Sequence, residues 1–215
     1  GGTFSALSSG SMSVRYCENG FAFDSKGTMF FSEHYLMNVI AFMNSKVCAE
    51  MLKIVSPTLD FRFGIIQKLP FISTEKIDIS KLIAISKIDW DSRETSWDFQ
   101  QNELIRQNIP SIKTAFEGYT NYWTEQFTAL HRNEEELNRQ FIDIYGLADE
   151  LDPSVPLSEI TILQEESKIV DNQLVILPSP VLLQLISYAV GCIFGRYSLD
   201  KPGLILANQG ETLED

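Results

Sequence analysis

The sequence is poor in the residues that most reactive sites require. Its 215 residues hold three cysteines, Cys17, Cys48 and Cys192, and two histidines, His34 and His131. The cysteines are far apart and form no Cys-x-x-Cys pair. Neither a zinc site nor a disulfide framework is therefore expected, and a reducing cytoplasm is the natural setting. Neither histidine has a readable nucleophile and acid partner, which disfavours Ser-His-Asp and Cys-His catalysis. No Pro-Pro dipeptide occurs anywhere, and Gly1-Gly2 follows no strand. No basic-then-apolar leader opens the sequence, so a secreted protein is not expected. The longest apolar run, Val181 to Phe194, is broken by Gln184 and Ser187. It is also short of the roughly 20 residues that a membrane span needs, so no membrane partner is expected.

Positive charge is scarce as well. Lys and Arg number 17 against 29 Asp and Glu, a net charge of −12. Such a surface as a whole repels nucleic acid, because neutralising phosphates requires Lys and Arg. The deficit is uneven, however. Residues 1–72 carry six basic and five acidic side chains, net +1, whereas the remainder carries 11 against 24, net −13. If any part touches DNA, it is the first third.

What is present reads as an ordinary globular chain, 44% hydrophobic and 21% charged, long enough for one large domain or two modest ones. Its organising stretch runs from Glu33 to Phe71. Leu36, Ile40, Met43, Val47, Met51 and Ile54 recur at helical spacing and predict one amphipathic helix over 33–55. Ser32 is the expected cap and Pro57 the stop. Leu59, Phe61 and Phe63 then alternate with Asp60 and Arg62, predicting a strand over 58–66. Before the helix, Met12, Val14 and Tyr16 alternate with Ser13 and Arg15. Asn19-Gly20 is a turn signal, Phe21 and Phe23 alternate again, and Asp24 to Gly27 forms a second turn.

Residues 72–97 form a connector whose carboxylates, Asp89, Asp91, Glu94 and Asp98, lack a nearby histidine. They are expected to cap turns while Trp90 and Trp97 bury their rings. Ser111 to Tyr145 is the longest predicted helix. Its apolar series Ile112, Phe116, Tyr119, Trp123, Phe127, Leu130, Leu137, Phe141 and Ile144 has Glu134 in its one polar slot, and Gly146 stops it. Residues 148–180 are acidic and predict only short extended pieces, among them Val175-Ile176. Val181 to Tyr197 is apolar almost all round and predicts a helix buried among others. The fold class expected is α+β. A small β-rich subdomain from 1–31 and 58–66 is braced by a helix, within a segment 1–72. A connector, 73–97, and a mainly helical domain, 98–215, follow.

Several stretches resemble the BREX phage-defence, adenine-specific DNA methyltransferases, and the end of target-recognition domains in restriction–modification enzymes. Asn44-Ser45-Lys46, Pro57-Thr58-Leu59-Asp60-Phe61 and Leu69-Pro70 are similar to the closing helix, Pro-Thr-Leu-Asn-Phe and Leu-Pro of such domains, with Asp60 in place of the usual Asn. Ser8-Ser9-Gly10 with Ser13 and Arg15-Tyr16, and Phe23-Asp24 with Lys26-Gly27, match two further segments. The most specific is Lys87, Asp89-Trp90-Asp91-Ser92 and Glu94-Thr95-Ser96-Trp97-Asp98-Phe99. Asn133 to Leu147 and Ser187 to Asp200 resemble the family as well.

The resemblance implies the target-recognition and C-terminal part of a larger enzyme. The parent would use S-adenosylmethionine to methylate adenine in double-stranded DNA, through an upstream methyltransferase domain. No cofactor and no catalytic residue is expected here, because both the glycine loop and the Asn/Asp-Pro-Pro-Tyr/Phe loop are missing. DNA contacts are expected from Ser8, Ser9, Ser13, Arg15 and Lys26, chosen for donor chemistry and position in the β region, with Arg62 and Lys68 behind them. The alternative is a scaffold whose acidic helices dock other phage-defence subunits.

Overall fold

The computed structural model describes residues 1–7, 12–56, 61, 63–73, 77–205 and 212. It is an α+β chain with a three-stranded sheet, a separate two-stranded hairpin and seven helices among the described residues. Two compact units divide it: Gly1–Ile83 with Arg132–Val155, and Ala84–His131 with Pro156–Asp215.

In the first unit β1 (Gly2–Ser5) is the central strand. It pairs antiparallel with β2 (Val14–Tyr16) on one edge and β3 (Gly27–Phe30) on the other. Asn19-Gly20 turns as expected, but Phe21 and Phe23 lie outside the strands and are exposed. Helices α1 (Leu36–Met43) and α2 (Lys46–Val55) replace the single predicted helix. The apolar spacing runs through both, so periodicity alone does not reveal the break at Asn44-Ser45. Ser32 does offer its hydroxyl oxygen, but to the Tyr35 amide at 3.1 Å, just ahead of the helix.

The predicted strand over 58–66 is corrected at its end. Phe63–Ile66 is a helical turn, α3, that turns Ile66 inward and leaves Phe63 exposed. Residues 58–60 and 62 of that expected strand lie outside the described residues, and at Phe61 the amide donates to the Ala6 carbonyl at 2.7 Å. The core gathers Phe4, Val14, Phe42, Val47, Cys48, Leu52, Leu137 and Phe141. Phe42 is its aromatic hub, 5.6 Å from Phe71, 5.7 Å from Phe141 and stacked 5.7 Å from Tyr145. Each such buried side chain contributes about 1.5–3 kcal/mol.

The remaining helices are α4 (Ser80–Asp91), α5 (Glu103–Arg106), α6 (Ile112–Tyr145) and α7 (Pro178–Ile193). The predicted long helix is thus present as α6, and Gly146 ends it with φ +66°. Tyr119, Trp123, Phe127 and Leu130 of its apolar series are buried in the second unit. Between α6 and α7 the acidic stretch forms a hairpin, β4 (Ser167–Val170) and β5 (Gln173–Ile176). Its two-residue turn, Asp171-Asn172, has φ of 49° and 58°, the left-handed pair that matches strand twist.

Helix α7 departs from the expectation of burial all round. Val181, Tyr188 and Gly191 face inward, where Tyr188 stacks on Tyr197 with ring centres 5.1 Å apart. A Cβ on Gly191 would lie 2.6 Å from the Tyr197 ring, so glycine is what allows that approach. Leu183, Ile186, Val190 and Ile193 form an exposed stripe on the opposite side.

Candidate nucleic-acid interface

Strand register decides which side chains the three-stranded sheet presents. Phe4 lies opposite Val14 and Thr28, and Gly2 opposite Tyr16 and Phe30, on the face that meets the core. Thr3 lies opposite Arg15 on one side and Met29 on the other, which sets these three on the outer face. Arg15 is exposed there, as is Ser13 two residues earlier. Thr3 and Ser5 join this face without having been singled out in the sequence. The two-residue period of β1 was the signal that could have found them.

Lys26 is exposed in the turn that enters β3. Its carbonyl accepts from Ala6 at 3.0 Å. The amides of Lys26 and Gly27 donate to the Asp24 carboxylate at 2.8 and 3.2 Å, and these bonds hold that carboxyl below the usual aspartate range. Arg15 therefore rises from the outer pleat, and Lys26 from a turn at the sheet's rim. Lys68 is exposed in the turn after α3. Elsewhere in the first third, Lys46 Nζ bonds the Ser154 carbonyl at 3.3 Å, and Lys53 pairs with Glu50 at 2.6 Å. Ser8, Ser9 and Arg62 lie outside the described residues.

Asn44-Ser45-Lys46, by contrast, does bracing work. The Asn44 side chain accepts from the Val14 amide at 2.9 Å and donates to the Val14 carbonyl at 2.9 Å, clamping β2 to the end of α1. Buried Ser45 caps α2 through the Cys48 amide and donates to the Phe42 carbonyl at 2.7 Å. The Lys46 amide donates to Asn138 on α6 at 2.8 Å. Asn44 thus fixes the strand that carries Arg15, while Ser45 and Lys46 anchor the start of α2.

The signature over 87–99 reverses the sequence expectation. Trp90 is 59% exposed and Trp97 86% exposed, while the polar residues between them bond inward. Arg93 grips Glu166 through two bonds of 3.0 and 2.8 Å, and Asp89 through bonds of 2.8 and 3.0 Å. Asp89 also accepts from the Leu163 amide at 3.0 Å. Asp91 accepts from Ser96, and Lys87 reaches both Asp91 and Asp98. Satisfying this many polar groups aims the backbone so that the indoles point away from the core.

Little in this network offers a reactive group. Burial alone would raise the Glu166 carboxyl, but the Arg93 guanidinium outweighs it and holds the acid below the usual range. Burial pushes the Cys48 thiol up to about 12, which leaves negligible thiolate at neutral pH. Among the described residues no three His, Cys, Asp or Glu side chains gather as metal ligands would. In the first unit, an apolar cleft of about 180 Å³ lies among Phe4, Phe30, Phe42, Phe63 and Phe71. Gln67 is its single polar lining side chain among the described residues.

Comparison with known proteins gives two close sequence matches. The chain is 41% identical over 217 residues to the adenine-specific methyltransferase PglX of Lacticaseibacillus casei (strain Zhang), covering 95% of this chain. It is 34% identical over 223 residues to the adenine-specific methyltransferase BrxX of Escherichia coli O9:H4 (strain HS), covering 98%. The chain is related to one segment of the PglX and BrxX methyltransferases. It spans only 17% and 18% of the length of those two relatives. No protein-family model matches it. The PglX- and BrxX-related segment therefore includes both compact units and the whole of the 87–99 signature. Among its described residues no helix is long and apolar enough to cross a membrane.

Proposed function

We propose that this chain is the DNA target-recognition and C-terminal part of an adenine-N6 DNA methyltransferase of a BREX-type phage-defence system. In this reading residues 1–72 close the target-recognition domain, 73–97 connect, and 98–215 form the helical remainder. S-adenosylmethionine and the methyl-transfer chemistry belong to the larger enzyme's upstream domain, and double-stranded DNA is the substrate. The observation that carries the reading is the relation to PglX and BrxX along nearly the whole chain.

Charge and geometry support it. The first third is the one part of an acidic chain that is not acidic. Its sheet sets Arg15 and Ser13 on an outer face, and small antiparallel sheets and ribbons are established readers of DNA grooves. Ser8, Ser9, Ser13, Arg15 and Lys26 are the proposed contacts, with Arg62 and Lys68 behind. A base-contacting arginine is worth about 1–3 kcal/mol at one position of the site, whereas a phosphate contact changes the salt slope by about one unit on every sequence.

The test is DNA binding by the longer polypeptide that carries this chain, across a salt series, on cognate and scrambled duplexes. Arg15→Ala is expected to weaken binding or relax sequence choice. Arg132→Ala, exposed near Glu134, Glu135 and Glu136, is expected to do neither. A larger loss from Arg132→Ala would move the DNA surface to the helices. Two null results would favour the scaffold alternative.

A further inference from the structure

The outward stripe of α7 is out of keeping with the chain it belongs to. Leu183, Ile186, Val190 and Ile193 are 63%, 59%, 45% and 81% exposed, and Phe194 just beyond is 82% exposed. Spacings of three, four and three residues put the four aliphatic side chains within about one quarter of the helix circumference. No charged residue occurs from Asn172 to Gly195. The helix is also firmly seated on its other side. Val181, Tyr188 and Gly191 are buried, and Gln184 donates to Glu166 in the Arg93 network. A fixed helix with a clean aliphatic outer stripe is a surface prepared for a cover.

We infer that the α7 stripe is the seat of the rest of the methyltransferase polypeptide, an intramolecular docking surface on which another segment of the longer chain packs permanently. The inference rests on the relation to PglX and BrxX, and does not depend on which residues read DNA. Two observations select this occupant. The matched segment is 17–18% of the relatives, so most of such a polypeptide lies elsewhere and is available to pack here. A stripe without charge has the character of permanent interfaces, which resemble a domain core cut in two, rather than of reversible ones with their charged rims. A second copy is disfavoured, because residues 73–215 carry net −13 and would bring that charge against itself.

The experiment is thiol labelling of Leu183→Cys and Ile186→Cys with a small maleimide, read site by site by peptide mass spectrometry so that Cys17, Cys48 and Cys192 do not interfere. Both positions are exposed, so the substitutions leave the core untouched. Labelling is compared between the 215-residue chain and the longer polypeptide that carries it, over a hundredfold range of protein concentration. The expected result is rapid labelling in the 215-residue chain and labelling at least tenfold slower in the longer polypeptide, independent of concentration. Equal rates in both would overturn the inference. So would protection that dilution removes, which would indicate a second copy, or protection already present in the 215-residue chain, which would place the cover within it. No DNA is present in the assay, so its failure is separate from any failure of the DNA-recognition reading.

Discussion

The two units join distant parts of the chain by contrasting means. In the first, the Lys46 amide meets the neutral Asn138 side chain, 92 residues later in sequence. In the second, Arg93 meets Glu166, 73 residues later, through full charges whose side chains are 17% and 2% exposed. A neutral staple tolerates the loss of one partner at modest cost, because a backbone amide left behind is only one unmet hydrogen bond. A buried charge stripped of its counter-ion must be desolvated without compensation. Loss of one partner therefore leaves an uncompensated buried charge in the second unit and a single unmet amide in the first.

Four substitutions, one of them read across pH, test that contrast. Arg93→Met should have the largest effect, destabilising by about 3–5 kcal/mol in urea unfolding at pH 7, since it leaves Asp89 and Glu166 without their cation. A loss below about 1 kcal/mol would erase the distinction between the units. The pH dependence carries a sign. Glu166 has its carboxyl lowered in the folded protein, so its contribution is fully present above the ordinary glutamate value of about 4.3 and is lost as pH falls through the folded value. In Arg93→Met that trend should invert, with stability rising on acidification as the stranded Glu166 carboxylate takes up a proton.

Asn138→Ala should come next. It removes the acceptor of the Lys46 amide and the donor to the Pro153 carbonyl, a loss of about 1–3 kcal/mol in the same assay. Ser45→Ala deletes the cap of α2 and should lose about 1 kcal/mol, visible in thermal melts as a small drop in Tm. Trp97→Ser should change the stability of this chain by less than about 0.5 kcal/mol, despite removing its most exposed large aromatic. A drop of 2 kcal/mol there would mean that the indole packs on something after all.

How much of this was legible depended on whether the deciding interaction was local. The α6 stripe was readable because a 3.6-residue period is a property of the helix itself, and Gly146 marked its end. The break at Asn44-Ser45 was not, because the two helices keep one apolar phase while the Asn44 amide reaches Val14, thirty residues earlier. Hydrophobicity alone sends Trp90 and Trp97 to the core, but the partner that fixes their neighbours, Glu166, is too remote in sequence to be paired by spacing. Arg93 itself passed unnoticed among four acids. At the candidate interface the alternation around Arg15 was visible in the residues, whereas the order β2–β1–β3, which sets Arg15 across from Thr3, came only with the fold. Helix α7 was read correctly as a helix. Composition could not say that half of its apolar surface would be left outward.

The discontinuity of the first unit has a bearing on how the protein is made. Phe42 and Phe141 pack in one core, and residues 84–131, which belong to the other unit, are translated between them. At ribosomal rates of about 5–20 residues per second, Phe141 emerges roughly 5–20 s after Phe42. During that interval the nascent sheet and α1 have no α6 to close on, and Phe4, Val14 and Phe42 face the solvent or a chaperone. The aromatic hub that makes the finished unit cohesive thus makes the growing chain vulnerable. Slow codons for residues 84–131 would lengthen that exposure.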